Sequence, residues 1–448
     1  MAKRKPNKRW RLMLLVVGAI AVFMGVLILK YNVELQKSVI DLSSSLGLEK
    51  LELPNLSNPL DPEQQKVNDL KKQLVLANQN YRPDAMQQLN FSAWLPVWAG
   101  TAGTRSLKAL PDNFNSISPM WYEVNADGSL RKINSDQAEI VKTETKKKKI
   151  ALIPTVALFD HNLLGQIMSD PTKFNTHINS ITAQVEQFNY DGIDLDYESM
   201  RLIDKDKYFE FLQELSKRLH SKNRLLIVTV IAKTTDNIQI GSFRETKQVQ
   251  DWTRISFFAD YIRIMAYDYT FQGSANPGPI APLDWQTELL DYAVTVIPRQ
   301  KIVLGLHLYS YEWWQKKADL DAQRDNPKFQ DPLKFKSNPS EQVEPAAYNF
   351  DDDPDLELTP QKSRSYTYSV VKKVLTDNKS KGKLESYQGE QIFRYSKLNP
   401  ASGAVEERVL VFIDPDGVKA RVKLAQNYGI SGIVFWRLGG EDDLLKNL

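Results

Sequence analysis

The run Asp191-Gly192-Ile193-Asp194-Leu195-Asp196-Tyr197-Glu198 sets carboxylates at alternate positions of an otherwise apolar stretch. Side chains alternate between the two faces of a strand, so Asp194, Asp196 and Glu198 share one face while Ile193, Leu195 and Tyr197 share the other. Acids crowded on a buried face are costly unless they share protons and hydrogen bonds, and like charges held close push at least one pKa up. The chemistry this allows is general acid catalysis, because a carboxyl group still protonated near neutral pH can protonate a departing oxygen. A solvated acidic loop is the bland alternative, and the flanks argue against it. Ile178, Ile181, Val185 and Phe188 have the spacing of an amphipathic helix, and Asn189-Tyr190-Asp191-Gly192 supplies the turn into the strand.

A second apolar strand, Ile262-Arg263-Ile264, ends in Met265-Ala266-Tyr267-Asp268, with Met265 and Tyr267 on one face and Ala266 on the other. A third, Gly432-Ile433-Val434-Phe435, ends in Trp436, an aromatic face suited to the C–H groups of a sugar ring. Around residue 305 and elsewhere the chain is rich in further aromatics: Trp94, Trp98, Trp121, Tyr122, Trp285, Trp313 and Trp314.

These segments belong to a series of short β-rich runs separated by helical stretches: 93–97, 116–121, 149–156, 192–197, 224–231, 261–267, 301–308 and 432–436. Eight strands alternating with helices predict a (β/α)8 TIM barrel, the α/β fold in which functional residues sit at strand C-termini. Glu198, Tyr267 and Trp436 all fall there. The long stretch between the seventh and eighth strands predicts a small α+β insertion at about 314–415, with β-like segments at 385–395 and 407–413 and a helix near 418–428.

The N-terminus reads differently. Lys3, Arg4, Lys5, Lys8, Arg9 and Arg11 form a basic flank over residues 1–11, followed by an apolar run from Leu12 to Leu29. Eighteen helical residues span about 27 Å, close to the hydrocarbon thickness of a bilayer. Without a small-x-small cleavage site after it, this predicts a transmembrane signal anchor over 12–30, N-terminus cytoplasmic, with the rest of this single-pass chain outside. Residues 31–90, with Ser43–Ser45, Pro54, Pro59 and Pro62 and a short helical pattern at 65–78, read as a polar stalk. Six of the 58 basic residues lie in the flank, so the remaining 52 stand against 55 acidic ones, and nothing favours nucleic acid as a partner. There is no cysteine, and the four histidines are scattered, so no metal site and no cofactor are expected. Oligomeric state is not legible here.

The acidic run resembles, with every fixed position filled, the D-G-x-D-x-D-x-E signature of glycoside hydrolase family 18, the chitinase family. Met265–Asp268 is similar to that family's M-x-Y-D segment, and Trp436 to its last-strand tryptophan; Arg437–Asp442 and 275–284 resemble a bacterial envelope-associated subgroup. The resemblance covers most of residues 91–448 and implies a retaining glycosidase acting on β-linked N-acetylglucosamine polymers by substrate-assisted catalysis. In that mechanism Glu198 would protonate the glycosidic oxygen while the substrate's own 2-acetamido group attacks. Asp196 would stabilise the resulting oxazolinium, Asp194 would share a proton with Asp196, and Tyr267 would orient the acetamido carbonyl. Trp436, Asp268, Met265, Tyr309 and Trp121 would contact sugar, whereas Asp191 would stabilise the turn. On the pattern G-x-P-x-Y-G-R-x-W the segment from Gly305 to Trp313 keeps Gly305, Tyr309 and Trp313 but has His307, Ser310 and Tyr311, which puts the subsites of true chitinases in question. Two other readings stand beside the enzyme: a glycan-binding, chitinase-like lectin, against which the presence of Glu198 argues, and an envelope scaffold working through its stalk.

Overall fold

The computed structural model describes residues 62–81, 88–133, 137–238, 243–323, 331, 333–337, 363–446 and 448. The basic flank, the apolar run and stalk residues 31–61 lie outside the described residues. Among the described residues no helix is long and apolar enough to cross a membrane.

Eight parallel strands close into a barrel: β1 (Asn90–Pro96), β2 (Phe114–Val124), β3 (Thr155–Leu158), β4 (Gly192–Tyr197), β5 (Leu225–Ile231), β6 (Tyr261–Met265), β7 (Ile302–His307) and, last in the chain, β13 (Gly432–Trp436). Each pairs with the next in chain order, β13 bridges β7 and β1, and pairing of β1 with β2 completes the ring. Seven of the eight expected strands are found with only their ends moved, and the third, expected over 149–156, is split into Ala151–Leu152 and Thr155–Leu158.

The alternation of β4 shows how the sequence specifies this. Ile193, Leu195 and Tyr197 point outward into the apolar layer between barrel and helices, where Ile178, Ile181 and Val185 of the preceding helix, Pro171–Gln187, meet them. That helix is started by Asp170, whose side chain accepts the Thr172 and Lys173 N–H groups, with Pro171 in the first turn where its missing N–H costs nothing. At the turn, Asp191 accepts the Leu152 N–H at 2.8 Å, and a Cβ on Gly192 would lie 2.4 Å from the Leu225 carbonyl oxygen, so only glycine lets β4 approach β5 there. Asp191 thus serves the turn, as its position suggested.

The barrel interior is unusual in its polarity. Trp94, Val303 and Val434 fill one side. On the other lie Ser118, Thr155, Asp194, Asp196, Thr229 and Arg263, all buried.

Between β7 and β13 a five-stranded antiparallel sheet is inserted, β8 (Tyr309–Lys316), β9 (Ser363–Thr367), β10 (Lys383–Tyr387), β11 (Glu390–Leu398) and β12 (Val405–Phe412), in the order β9-β8-β12-β11-β10. It begins at Tyr309, earlier than the 314 expected, because the apolar alternation of Tyr309, Tyr311 and Trp313 packs against the insertion's own core of Ile392, Val409 and Val411. Helix Pro415–Tyr428 then leads into β13.

The helical pattern in the polar stretch is also real. Helix α1 (Pro62–Asn80) includes Val67, which is buried, and from Val67 onward it belongs to the same compact unit as the barrel. Lys71 pairs with Asp236 at 2.8 Å, Asn78 donates to the Val294 carbonyl and accepts from Arg299, and the Arg299 guanidinium lies 4.0 Å from the Tyr81 ring centre. This part of the expected stalk is therefore docked on the barrel wall.

Candidate active site

Four strand ends supply the site. The β4 alternation carries Asp194 deepest, Asp196 above it and Glu198 just past the strand, where the Glu198 N–H bonds to the Leu158 carbonyl at 3.1 Å. β6 runs into Met265, Tyr267 and Asp268, β7 into Tyr309, and β13 ends at Trp436. Asp268 sits at φ +58, a left-handed conformation that short polar side chains tolerate.

The three acids differ in environment, and the differences decide their chemistry. Asp194 is fully buried and accepts four hydrogen bonds: from Trp94 Nε1 (2.8 Å), Thr155 Oγ1 (2.9 Å) and Arg263 Nη1 (2.9 Å) on Oδ2, and from Thr229 Oγ1 (2.9 Å) on Oδ1. Asp196 is buried too, yet its Oδ1 has no hydrogen-bond partner. Burial first, and then the charges of Glu198 and Asp194, push the Asp196 carboxyl well above the usual range, with Arg263 opposing. Burial and the nearby Asp268 carboxylate push Glu198 up to about 7. Tyr267 is pushed up by burial and by the surrounding carboxylates, so it stays a neutral phenol able to donate.

This arrangement holds a proton donor at Glu198, an unsatisfied carboxyl oxygen at Asp196 and a phenolic donor at Tyr267, over an aromatic floor. Trp436 meets Trp94 edge-on at 5.8 Å and Trp98 at 6.5 Å between ring centres, and the peptide bond joining it to Arg437 is cis. Tyr309 meets the Tyr267 ring edge-on at 6.3 Å, and both Tyr309 and Tyr311 donate to Asp268 Oδ1, Tyr311 at 3.0 Å. A Cβ on Gly305 would lie 2.5 Å from the Ile264 carbonyl oxygen and 3.2 Å from Tyr267, so this glycine lets β7 close on the site.

Nine residues were expected to do chemistry or touch sugar, and Glu198, Asp196, Asp194, Tyr267, Trp436, Asp268, Met265 and Tyr309 converge at this end of the barrel. Trp121 does not. On β2 the interior positions are Ser116 and Ser118, so Trp121 falls on the outer face, buried against Tyr190 at 6.1 Å between ring centres and packed with the helical layer. Of the four donors to Asp194, three fall on Oδ2 and one on Oδ1. His307 is buried, its Nε2 3.1 Å from Glu390 Oε1, and takes no part in the acidic row.

Sequence reasoning missed Arg263. Its guanidinium lies in the barrel interior, bonded to Asp194 and to Ser118 Oγ at 2.6 Å, with its centre 5.3 Å from the Trp94 ring. The signal was available: an arginine in register with Met265 and Tyr267, on the inward face of an apolar strand, needs a buried counter-charge.

The family model of glycosyl hydrolases family 18 matches residues 134–442, more than half of the sequence. The chain belongs to this family. A cortical fragment-lytic enzyme of Bacillus anthracis is 31% identical over 196 residues, 43% of this chain and 44% of that protein. An uncharacterized glycosylase of Bacillus subtilis is 24% identical over 351 residues, 77% of this chain and 86% of the other. Among solved structures, the Bacillus cereus spore cortex-lytic enzyme superposes with a TM-score of 0.62 at 20% identity, over 82% of this chain and 76% of that one, which is a likeness of fold. The chain spans about half the length of the first curated relatives it matches, 46% and 44%.

Proposed function

We propose that the protein is a retaining glycosidase that cleaves β-linked, N-acetylglucosamine-containing glycans by substrate-assisted catalysis, with envelope peptidoglycan as its polymer. The observation that carries this reading is Glu198, whose carboxyl is held up to about 7 by burial and Asp268 beside an Asp196 with an unpartnered buried oxygen. Glu198 protonates the glycosidic oxygen, and the 2-acetamido carbonyl closes on the anomeric carbon. The acetamido N–H meets Asp196 Oδ1, the free acceptor, while Tyr267 donates to the carbonyl oxygen. Glu198 then takes a proton from the incoming water. No step draws on a metal, and among the described residues no cluster of metal-binding side chains occurs.

The choice of peptidoglycan over bulk chitin rests on the relatives, a cortical fragment-lytic enzyme among them, and on the basic flank and apolar run that would hold the catalytic domain at the outer face of a membrane. Incubation with purified peptidoglycan and with chitin, followed by mass spectrometry of the soluble products, tests the assignment. Fragments ending in reducing N-acetylglucosamine from peptidoglycan are expected; release from chitin alone would move the substrate, and release from neither would remove the activity.

A further inference from the structure

One buried carboxyl group of the insertion reaches out of it. Glu390 opens β11, the second strand of the hairpin that begins with β10, and is fully buried, as are Arg421 of helix Pro415–Tyr428 and His307 of β7. The turn between the two strands is two residues long, with Gln388 at φ +48 and Gly389 at φ +79, left-handed conformations that hairpins of this length favour. The turn is pressed against its neighbours: a Cβ on Gly389 would lie 2.9 Å from Arg421 Nη1, and one on Gly417 would lie 2.3 Å from the Gly389 carbonyl oxygen.

A buried carboxyl group is costly unless donors meet its oxygens, and the origin of those donors shows what it holds. Those of Glu390 come from the segment that follows Asp268. Oε2 accepts the Ile280 N–H at 2.8 Å, and Oε1 accepts the Ala281 N–H at 3.0 Å. The Ile280 carbonyl in turn accepts the Tyr269 N–H at 2.8 Å, and that of Pro279 accepts the Thr270 N–H at 3.0 Å, so residues 279–280 double back on the two residues after Asp268. Arg421 ties the same point, donating to the carbonyls of Ala281, Gly389 and Gly417. From β7, His307 Nε2 stands 3.1 Å from Glu390 Oε1, off the line of a hydrogen bond. The His307 ring centre lies 5.3 Å from that of Tyr309, which donates to Asp268.

We propose that Glu390 is a positioning residue, through which the insertion fixes the backbone after Asp268 and so holds that side chain where it meets the sugar. Asp268 lies three residues past the end of β6, in a left-handed conformation at φ +58, so contacts beyond the strand must hold it there. Two routes lead to it from Glu390. One is backbone, through Ile280 and Tyr269; the other is side chain, through His307 and Tyr309. Where His307 stands the family pattern has proline, which offers no side-chain donor, so the second route is absent from that pattern. An apolar side chain at position 390 could be buried as well, but it would leave the Ile280 and Ala281 N–H groups unmet.

This inference rests on the reading of Asp268 as a sugar contact, and two measurements separate the clamp from that reading. The first is hydrogen exchange on the full chain. E390Q can accept one amide but turns an N–H toward the other, so segment 266–282 should exchange faster than in the unsubstituted enzyme, with the rest of the barrel unchanged. The second is calorimetric binding of a soluble N-acetylglucosamine oligosaccharide in the E198Q background, where turnover is slow. E390Q should weaken binding there at least about fivefold, but by less than about twofold when D268N is also present, because two changes acting through one contact do not add. Equal losses with and without D268N, or a segment 266–282 protected as before, would overturn the proposal. Should E390Q fail to fold, H307F, which keeps a ring but offers Glu390 no donor, should weaken binding only where Asp268 is intact; an equal loss with D268N would overturn the proposal in the same way. A protein that neither binds nor cleaves glycan would count against the assigned activity, and the exchange measurement would still decide whether Glu390 holds the loop.

Discussion

Glu198 and its neighbours show how three acids two residues apart come to do different things. Asp194 accepts from four donors, Asp196 is buried with an oxygen to spare, and Glu198 sits at the mouth of the barrel against Asp268. Because burial and a like charge raise its pKa, Glu198 holds its proton below about 7 and loses it as the pH rises through that value. The basic limb of the kcat/KM profile should therefore lie near pH 7. Glu198→Gln, nearly isosteric but without a useful proton, should keep fold and glycan binding and lower the rate about 10²–10⁴-fold. The same variant should melt higher than the unsubstituted enzyme above pH 7, where the latter carries an ionised, poorly solvated Glu198. A variant retaining near-normal turnover, or one that unfolds, would remove Glu198 from its role. At this scale the sequence named the acids but not their partners, because Trp94, Thr155, Thr229 and Arg263 come from four other strands, and only barrel closure puts them around Asp194.

Alternation decided most of what was legible at the scale of elements, and where it was not applied the reading failed. Applied to β4 it put Asp194 and Asp196 inside and Tyr197 outside, where Tyr197 meets His177 Nε2 at 2.6 Å. Trp121 was taken for its chemistry alone; the same rule, applied from Ser116 and Ser118, places it in the outer layer. The docking of helix α1, though not the helix itself, escaped for another reason. Most of its residues are polar, Val75 and Leu76 are exposed, and its buried contacts are few, so its composition is that of a linker while Val67, Lys71 and Asn78 tie it to the barrel. Burying one valine contributes about 1.5 kcal/mol, and each hydrogen bond about 1 kcal/mol. Deleting everything before residue 88 should thus lower the Tm by about 5 °C relative to a chain starting at residue 62. Activity at low temperature should be kept, since α1 gives nothing to the site. Equal melting of the two chains in calorimetry would show that the helix is not held as described.

The whole molecule couples the inserted sheet to Glu198, the proposed acid. Tyr309 and Tyr311 open β8 and both donate to Asp268, which in turn acts on Glu198, so the insertion reaches the proton donor through one carboxylate. Removing both hydroxyls with Tyr309→Phe and Tyr311→Phe takes away positive dipole ends that help this corner bear a second negative charge. The basic limb should then move up by about half a pH unit or more; a limb that stays or moves down would break the link. The eight barrel strands were legible because each carries its own apolar run and turn. The start of the insertion was not, since Tyr309–Trp314 reads equally as the end of a barrel strand.

The central claim is that the substrate's own acetamido group, held by Asp196 and Tyr267, is the nucleophile. Proton NMR during the first turnovers on a soluble N-acetylglucosamine oligosaccharide tests it most directly, because two displacements at the anomeric carbon restore its configuration. The account predicts that the β anomer forms first and converts only later to the equilibrium mixture, and that the fully deacetylated oligosaccharide yields no product. An α anomer forming first, or equal rates on the two substrates, would contradict it.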